Sequence, residues 1–323
     1  MKLGIYGDAH LTKNMRTLQS LWNTTATKSL HYMYNKFDEE SVEMVVCLGD
    51  FFDSPRLEAK HLSLVLPILQ DINSRSYPTY VLLGNHEAES EDSNILEVLS
   101  VYENIHPVTI PVDLENMLFL PYYTDPTQFD MKDKILFTHH DIYGSELAGG
   151  KTKAFFGLDS SIFKDAKLVM NGHVHLRSRV SNNILNSGSI LVSQQGELKL
   201  GDYPHYYVLD TISSITTEYP NTHSMIYLTI DESDAGKVVQ SGYDQMNCVL
   251  KVEYEDEIPD NFIDTAHITW RKKISSIESK EDKNVHLSSF DMKNYLADYI
   301  RNDPEVSDDK KDDYITTGLE VLG

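Results

Sequence analysis

Five short apolar runs constrain the fold of this chain most strongly, because each run ends directly in side chains of the kinds that bind metals. Each run has the length and composition of a buried strand. In open α/β sheets, sites form where the carboxyl ends of neighbouring strands meet. We therefore expect the five polar blocks that follow the runs to converge in space. The blocks comprise residues 8–10, 49–53, 84–87, 139–141 and 171–175.

The candidate ligands in these blocks offer a mixture of oxygen and nitrogen donors. Such a mixture suits Mn²⁺, Fe or Zn²⁺ better than Ca²⁺ or a pure Mg²⁺ site. There are too many donors for one ion, and Asp50 is the natural bridge because a carboxylate can share its two oxygens. We predict a site for two divalent ions, which can activate water and clamp a phosphate for in-line displacement. The predicted ligands are Asp8, His10, Asp50, Asn85, His139, His173 and His175.

Two further residues have predicted catalytic roles beside the metals. His86 directly follows a ligand and could protonate the leaving oxygen from outside the metal coordination shell. Asp53 could orient the His86 imidazole, as carboxylates fix histidine tautomers in other sites. Any one block alone is weak support, because Asp and His are common in loops. Five blocks in this order, each after an apolar run, make a purely structural explanation improbable. His140 and Asp141 remain open, as supporting groups or ordinary loop residues.

The first 210 residues alternate strand-like runs with amphipathic helical stretches, and strands predominate after residue 110. This alternation is typical of an α/β layered core. We predict helices after the first three strands, around residues 18–34, 62–69 and 95–99. The expected fold class is therefore α/β, with two sheets packed face to face and helices outside them.

The pattern changes after residue 210 and predicts a multi-part chain. We expect a small α+β capping domain over residues 211–275, with a short helix near 259–265, then a polar linker over 276–287. The pattern of residues 288–323 predicts two short helices with apolar faces. These faces could pack on this chain or on a partner. Residues 148–153 form a predicted loop that could be a lid or a plain connection.

Composition limits the compartment and raises a question about the substrate. Two cysteines are too few for a disulfide framework, and no secretory signal or membrane span is visible, so we expect a cytoplasmic protein. The net charge is −22 without a basic cluster, whereas nucleic-acid binders usually carry a basic patch. Either the substrate is not a nucleic acid, or bound cations and a partner supply the positive field.

The ordered set of blocks resembles the calcineurin-like metallophosphoesterase superfamily over about the first 210 residues. This resemblance implies a four-layer α/β/β/α sandwich. It also implies a first metal on Asp8, His10, Asp50 and His175, and a second on Asp50, Asn85, His139 and His173. His86 would be the catalytic acid, oriented by Asp53.

Local motifs are similar to the SbcD-type DNA repair nucleases and their phage relatives. The motifs are Phe52 before Asp53, the triplet Leu120-Pro121-Tyr122 and the triplet Ser187-Gly188-Ser189. Ser54 follows Asp53 where protein phosphatases have Arg, and Ile190 departs from the SbcD pattern, which usually has Pro there. This similarity implies a Mn²⁺-dependent DNA exonuclease and endonuclease whose C-terminal helices bind an SMC-like coiled-coil ATPase, in a bacterial or phage-infected cell.

Two alternative functions remain open at this point. The chain could be a phosphodiesterase or phosphatase for small phosphate esters, which its acidity favours. It could also be a non-enzymatic adaptor that uses its terminal helices, although the complete ligand set argues against this. The sequence leaves open whether the chain forms a homodimer.

Overall fold

The computed structural model describes residues 1–90, 93–147, 153–241, 243, 247–254 and 267–272. Three α-helices lie in this part of the chain, namely α1 (Gln19–Glu39), α2 (Ala59–Asn73) and α3 (Ala235–Gln240). The strands are β1 (Lys2–Tyr6), β2 (Met44–Cys47), β3 (Thr79–Leu82), β4 (Ala88–Ser90), β5 (Ser93–Asn94), β6 (Ile105–Val108), β7 (Val112–Leu114), β8 (Met117–Leu120), β9 (Ile135–Thr138), β10 (Leu168–Asn171), β11 (Ser178–Ser181), β12 (Ile184–Asn186), β13 (His205–Asp210), β14 (Thr216–Pro220), β15 (Ile226–Asp231), β16 (Cys248–Tyr254) and β17 (His267–Lys272).

Two six-stranded sheets form the body of the protein. The first has the strand order β14-β13-β1-β2-β3-β6, and the second has the order β11-β12-β10-β9-β8-β7. Strands β1, β2, β3 and β6 run parallel, and so do β12, β10, β9 and β8. Alternate residues of β2 serve opposite layers, because successive strand side chains point to opposite faces. Val46 packs between the two sheets, and Val45 packs against the helices.

Helices α1 and α2 cover the outer face of the first sheet. In α1 the buried positions recur at helical spacing, as with Trp22, Ala26 and Leu30. Helix α2 begins with a capping box, in which Glu58 and His61 bond to each other's backbone N–H groups. The helix predicted after the third strand is a 3₁₀ helix, Ile95–Val101. The predicted fold class, an α/β sandwich of two packed sheets, is confirmed.

The outer face of the second sheet has a different cover. In the described residues it consists of 3₁₀ turns and loops, of which Ser160–Phe163 places Phe163 in the apolar cluster against this face. The fourth layer therefore lacks an α-helix in the part of the chain that the structure describes. We predicted helices outside both sheets, but the sequence between β9 and β10 contains no long amphipathic stretch that could form one.

A third sheet, β15-β16-β17, is parallel and much smaller. Its apolar face packs with α3, where Val238 contacts the same cluster as Ile226 and Leu250. Strand β14, which we assigned to the capping domain, pairs with β13 in the first sheet. The expected boundary at residues 210 and 211 therefore passes through a β-hairpin, and the small sheet begins at Ile226.

Several predictions fall on residues outside the described ranges. These are most of the 148–153 loop, the helix near 259–265, the 276–287 linker and the 288–323 helices. Among the described helices, none combines the length and apolar character that crossing a membrane requires.

Candidate metal centre

Three groups of potential ligands meet at the carboxyl ends of the parallel strands. Two of them share Asp50, and the third, in which Asp53 and His86 join His10, overlaps the first. The first cluster is Asp8, His10, Asp50 and His175, with one ligand atom from each residue within 4.8 Å of the others. The second cluster contains Asp50, His139 and His173 by the same measure. Asn85 completes it, because its Oδ1 lies 3.1 Å from His139 Nε2 and 2.9 Å from His173 Nδ1. The structure thus brings together all seven predicted ligands.

The strand-end loops hold several of these ligands in an unusual backbone conformation. Asp8, His10, Asp50 and His173 have φ values of 53°, 44°, 50° and 67°. Non-glycine residues rarely adopt this left-handed region, and such strain concentrates at functional sites. Backbone hydrogen bonds maintain it, since the His10 N–H donates to the Asp50 carbonyl at 2.9 Å. The polar side chains are therefore directed inward at a cost in backbone energy.

Two glycines allow the loops to approach one another. Gly49 has a φ of 100°, and a Cβ there would lie 2.3 Å from His139 Nδ1. A Cβ on Gly84 would lie 2.1 Å from Asp50 Oδ1. Larger residues at either position would displace a ligand, so both glycines are required by close packing around the site.

The donor set and its polar contacts fit divalent metal ions. Asp8 Oδ2 is buried without a hydrogen-bond partner, although buried polar atoms are normally paired. In the first cluster, His10 Nε2 and His175 Nε2 face each other at 3.0 Å. Carboxylate oxygens and imidazole nitrogens directed at one point are suited to Mn²⁺, Fe or Zn²⁺.

Each histidine of the second cluster has a second polar partner that fixes its ring. His139 Nδ1 donates to the Leu48 carbonyl at 2.6 Å, which leaves Nε2 to face Asp50 Oδ2 at 3.3 Å. His173 Nε2 lies 3.0 Å from Asp141 Oδ1, which leaves Nδ1 to face Asn85. Metal-binding histidines characteristically use one nitrogen for the metal and the other for such a partner.

The acidic side chains of the site favour the protonated forms of His139 and His175. Burial lowers the pKa of His139, but the Asp50 carboxylate outweighs this and raises it to about 9. Burial also lowers the pKa of His175, and its contacts with Glu197 and Asp8 raise it to about 9. Burial raises the pKa of Asp50, but the neighbouring His139 and His10 bring it well below its usual range. The acidic groups therefore attract cations, and bound metals would take the place of these protons.

His86 lies at the edge of the first cluster, and its side chain is 35% exposed. Its ring centroid is 4.7 Å from that of His10. Its Nδ1 donates to the backbone carbonyl of Asp53 at 3.0 Å, whereas the Asp53 carboxylate is 3.8 Å away. That carboxylate is nearer to Lys13 Nζ at 2.9 Å and His10 Nδ1 at 3.2 Å. His86 and Asp53 are therefore in contact as predicted, but through the Asp53 main-chain carbonyl and not its carboxylate. Their catalytic roles stay predictions.

Glu87, to which we could assign no chemistry from the sequence, joins two of the ligand loops. It is fully buried. Its Oε2 accepts from the N–H groups of Gly84 at 2.8 Å and Asp50 at 3.2 Å, and its Oε1 accepts from Phe52 N–H at 2.9 Å. Burial and the nearby Asp50 raise the pKa of Glu87 to about 8. It therefore anchors the loop carrying Asn85 to the loop carrying Asp50.

The substitution Glu87→Ala should destabilise the protein by about 3 kcal/mol or more, because it leaves three buried N–H groups without an acceptor at roughly 1–3 kcal/mol each. Urea unfolding of the metal-free protein measures this. Glu89→Ala is the matched control, since Glu89 is exposed and pairs with the exposed Arg56. We expect a change below about 0.5 kcal/mol for the control. Equal effects of the two substitutions would contradict the anchoring role.

Sequence reasoning missed Glu197 and left Asp141 open. Glu197 lies in the loop after β12, and its Oε1 contacts His175 Nδ1. Four residues separate it from the preceding apolar run, 190–192, so it does not directly follow a run as the predicted blocks do, and its pattern did not mark it as part of the site. Asp141 could have been identified from its position two residues after His139. His140 is buried, and burial lowers its pKa to about 4. Its backbone N–H donates to the Asn171 side chain at 3.0 Å, a structural contact.

Comparisons with known proteins agree with this geometry. A sequence model described as calcineurin-like phosphoesterase matches residues 1–177. Phosphoesterase 244L of Invertebrate iridescent virus 6 is 24% identical over 176 residues, or 48% of this chain. The chain spans 61% of that relative's length.

Solved structures also match at low identity. A novel archaeal phosphodiesterase is 17% identical, with 68% of this chain and 99% of that chain covered at a TM-score of 0.37. The nuclease MPE of Pseudomonas putida is 16% identical, with 64% and 83% covered at a TM-score of 0.33. TT1561 of Thermus thermophilus is 10% identical, with 68% and 98% covered at 0.41. Structural matches with scores this low carry no argument of their own. The family assignment rests on the sequence model that matches residues 1–177, which is more than half of the chain.

Proposed function

The chain belongs to the calcineurin-like phosphoesterase family, and from this premise we propose that it is a two-metal phosphodiesterase whose substrate is DNA. The observation that carries the hydrolytic part is the sharing of Asp50 between the two clusters. Its Oδ2 lies 3.7 Å from His10 Nε2 and 3.3 Å from His139 Nε2. One carboxylate oxygen therefore faces both groups of ligands, as a bridge between two ions requires.

The protein's own residues would divide the work of hydrolysis. Two divalent ions, which we propose to be Mn²⁺, would act as Lewis acids toward the attacking water and the phosphate. Asp8, His10, Asp50 and His175 would hold the first, and Asp50, Asn85, His139 and His173 the second. His86 would deliver a proton to the leaving oxygen. Because its Nδ1–H is committed to the Asp53 carbonyl, the proton must come from Nε2.

Aromatic side chains next to the second cluster support a nucleic-acid substrate. The Tyr122 ring centroid is 6.0 Å from that of His173. The ring centroid of Tyr123 is 4.9 Å from that of Tyr122, and Tyr123 is 51% exposed. Nucleobases stack on exposed aromatic rings at about 1–3 kcal/mol per base. The triplets 120–122 and 187–189 are also similar to those of SbcD-type nucleases. Together these features favour a nucleotide polymer over a small ester.

With Mn²⁺ present, we expect the protein to cleave both linear duplex DNA and the chromogenic ester bis(p-nitrophenyl) phosphate. A nucleic-acid site binds its polymer through several nucleotides, so the apparent KM for DNA should be at least about tenfold lower than for the ester. Turnover of the two substrates by one preparation measures this. Cleavage of the ester alone would contradict the proposed substrate.

A small phosphate ester is the second candidate substrate, and the charge of the chain favours it. The net charge of −22 opposes the approach of a polyanion. A DNA substrate therefore requires positive charge from the bound ions and from another protein. The substrate comparison above separates the two candidates directly.

We propose that a coiled-coil ATPase of the SMC-like type supplies this positive surface, in the cytoplasm of a bacterial or phage-infected cell. The support is the predicted apolar stripe in residues 288–323, outside the described ranges. We expect removal of residues 288–323 to abolish co-purification with such an ATPase and leave ester hydrolysis within about twofold. Co-purification of the truncated chain would contradict this role, and Mn²⁺-dependent ester turnover is the control for folding.

A further inference from the structure

Glu197 has an acidic side chain that is buried beside the first cluster but is no ligand of it. Its Oε1 contacts His175 Nδ1, the ring nitrogen that faces away from His10. Its Oε2 accepts from the N–H groups of Ser193 at 2.6 Å and Gln194 at 3.0 Å. These bonds satisfy both carboxylate oxygens, so the side chain is fixed by its own loop and in turn fixes the His175 ring.

The same loop is packed into the small three-stranded sheet. Val192 and Leu198, on either side of the Ser193–Glu197 turn, are buried in the apolar cluster with Ile226 and Leu250 of that sheet. Ile190, just before the turn, packs instead in the helix-side cluster of the first sheet. The segment therefore bridges the two parts of the fold, and Glu197 lies at its middle.

Polar contacts on both sides of the turn strengthen this attachment. The Val192 N–H donates to Ser224 Oγ at 3.3 Å, just before β15. Gly201 N–H donates to the Tyr243 hydroxyl at 2.7 Å, and that hydroxyl donates to the Asp202 carbonyl at 2.8 Å. A shift of the small sheet would therefore displace the loop that holds Glu197.

We propose that Glu197 is a positioning residue that couples the first metal position to the packing of the small sheet. The carboxylate holds His175 with Nε2 directed at the metal position and increases its basicity as a ligand. Such carboxylate–histidine pairs are typically worth 10- to 100-fold in metal affinity. Because the loop is fixed by the small sheet, the affinity of one of the two ions depends on that sheet. The histidines of the second cluster are held instead through Leu48 and Asp141, which lie outside that loop.

Titration of the metal-free full-length chain with Mn²⁺, followed by calorimetry, tests the coupling. We expect Glu197→Gln to weaken one of two binding steps by 10- to 100-fold and to leave the other within about threefold. Leu198→Ala, which loosens the loop without touching His175, should weaken the same step by at least about threefold. Glu146→Gln is the control, since Glu146 pairs with Lys199 on the surface of the same loop, and its titration should match the wild type.

Each result decides one part of the proposal. Unchanged binding in Glu197→Gln, or equal weakening of both steps, would overturn the positioning role. Weakening in Glu197→Gln with wild-type binding in Leu198→Ala would overturn the coupling to the small sheet. The proposal rests on the proposed function only in that the clusters bind metal. If the wild type bound two ions normally but showed no phosphodiester hydrolysis, that function would be refuted and this inference would stand.

Discussion

The substitution Asp50→Asn should lower phosphodiester turnover by about 10³-fold or more, because it removes the one side chain that both clusters share. An amide oxygen in the place of Oδ2 is a weaker, uncharged donor, and the NH₂ group would then take the place of Oδ1, which accepts from the His86 N–H at 3.0 Å. The substitution also removes the negative charge that attracts the ions. A loss of about 4 kcal/mol in transition-state stabilisation, several kcal/mol being typical of metal-ion catalysis, corresponds to this factor.

Metal counting on the same variant identifies the cause of the loss. We expect Asp50→Asn to retain fewer than two Mn²⁺ ions per chain at concentrations that saturate the wild type, with unchanged circular dichroism. Asp113→Asn is the matched control, because Asp113 is exposed and pairs with Lys134 at the surface. Full occupancy with full turnover in Asp50→Asn would show that Asp50 is not the bridge.

The second large effect is expected for His86→Gln, which should keep both metal ions but lower DNA cleavage by about 10²- to 10⁴-fold, the usual contribution of a general acid. The His86 ring groups with His10 and Asp53 but is not part of the two clusters that share Asp50, so both metals should still bind. The loss should fall on kcat, since the proton is transferred in the transition state. Single-turnover cleavage of DNA, with metal content measured in parallel, tests this.

The leaving group distinguishes proton donation from a structural effect of the same substitution. A sugar oxygen needs a proton as it leaves, whereas p-nitrophenolate is stable as an anion. We therefore expect His86→Gln to hydrolyse bis(p-nitrophenyl) phosphate at a rate within about tenfold of the wild type. His31→Gln, at an exposed position, is the control. Equal losses on both substrates would argue that His86 only supports the loop.

The position of the ligands was predictable from sequence because it follows from chain topology. Apolar runs that end in Asp50, Asn85 or His139 indicate buried strands, and the carboxyl ends of parallel strands lie at one edge of a sheet. The structure places these residues together as expected. Helices α1 and α2 were equally predictable, because apolar residues at helical spacing indicate which face of a helix is buried.

Contacts made through the main chain or between distant loops were not predictable. Asp53 reaches His86 through its carbonyl, and any residue has a carbonyl, so the sequence carries no signal for it. Glu197 is 22 positions from His175 and meets it only through the turn at Ser193. Strand β14 has a half-polar pattern that suits either an edge strand of the large sheet or one of the small sheet, and only pairing with β13 decides.

Titration of the metal-free wild-type chain with Mn²⁺, with bound ions and phosphodiester hydrolysis measured in the same samples, tests the central claim most directly. The account predicts no hydrolysis after chelation and a rate that reaches its plateau only when two ions are bound per chain. A full rate in the presence of chelator, or a plateau at one ion per chain, would contradict a two-metal phosphodiesterase.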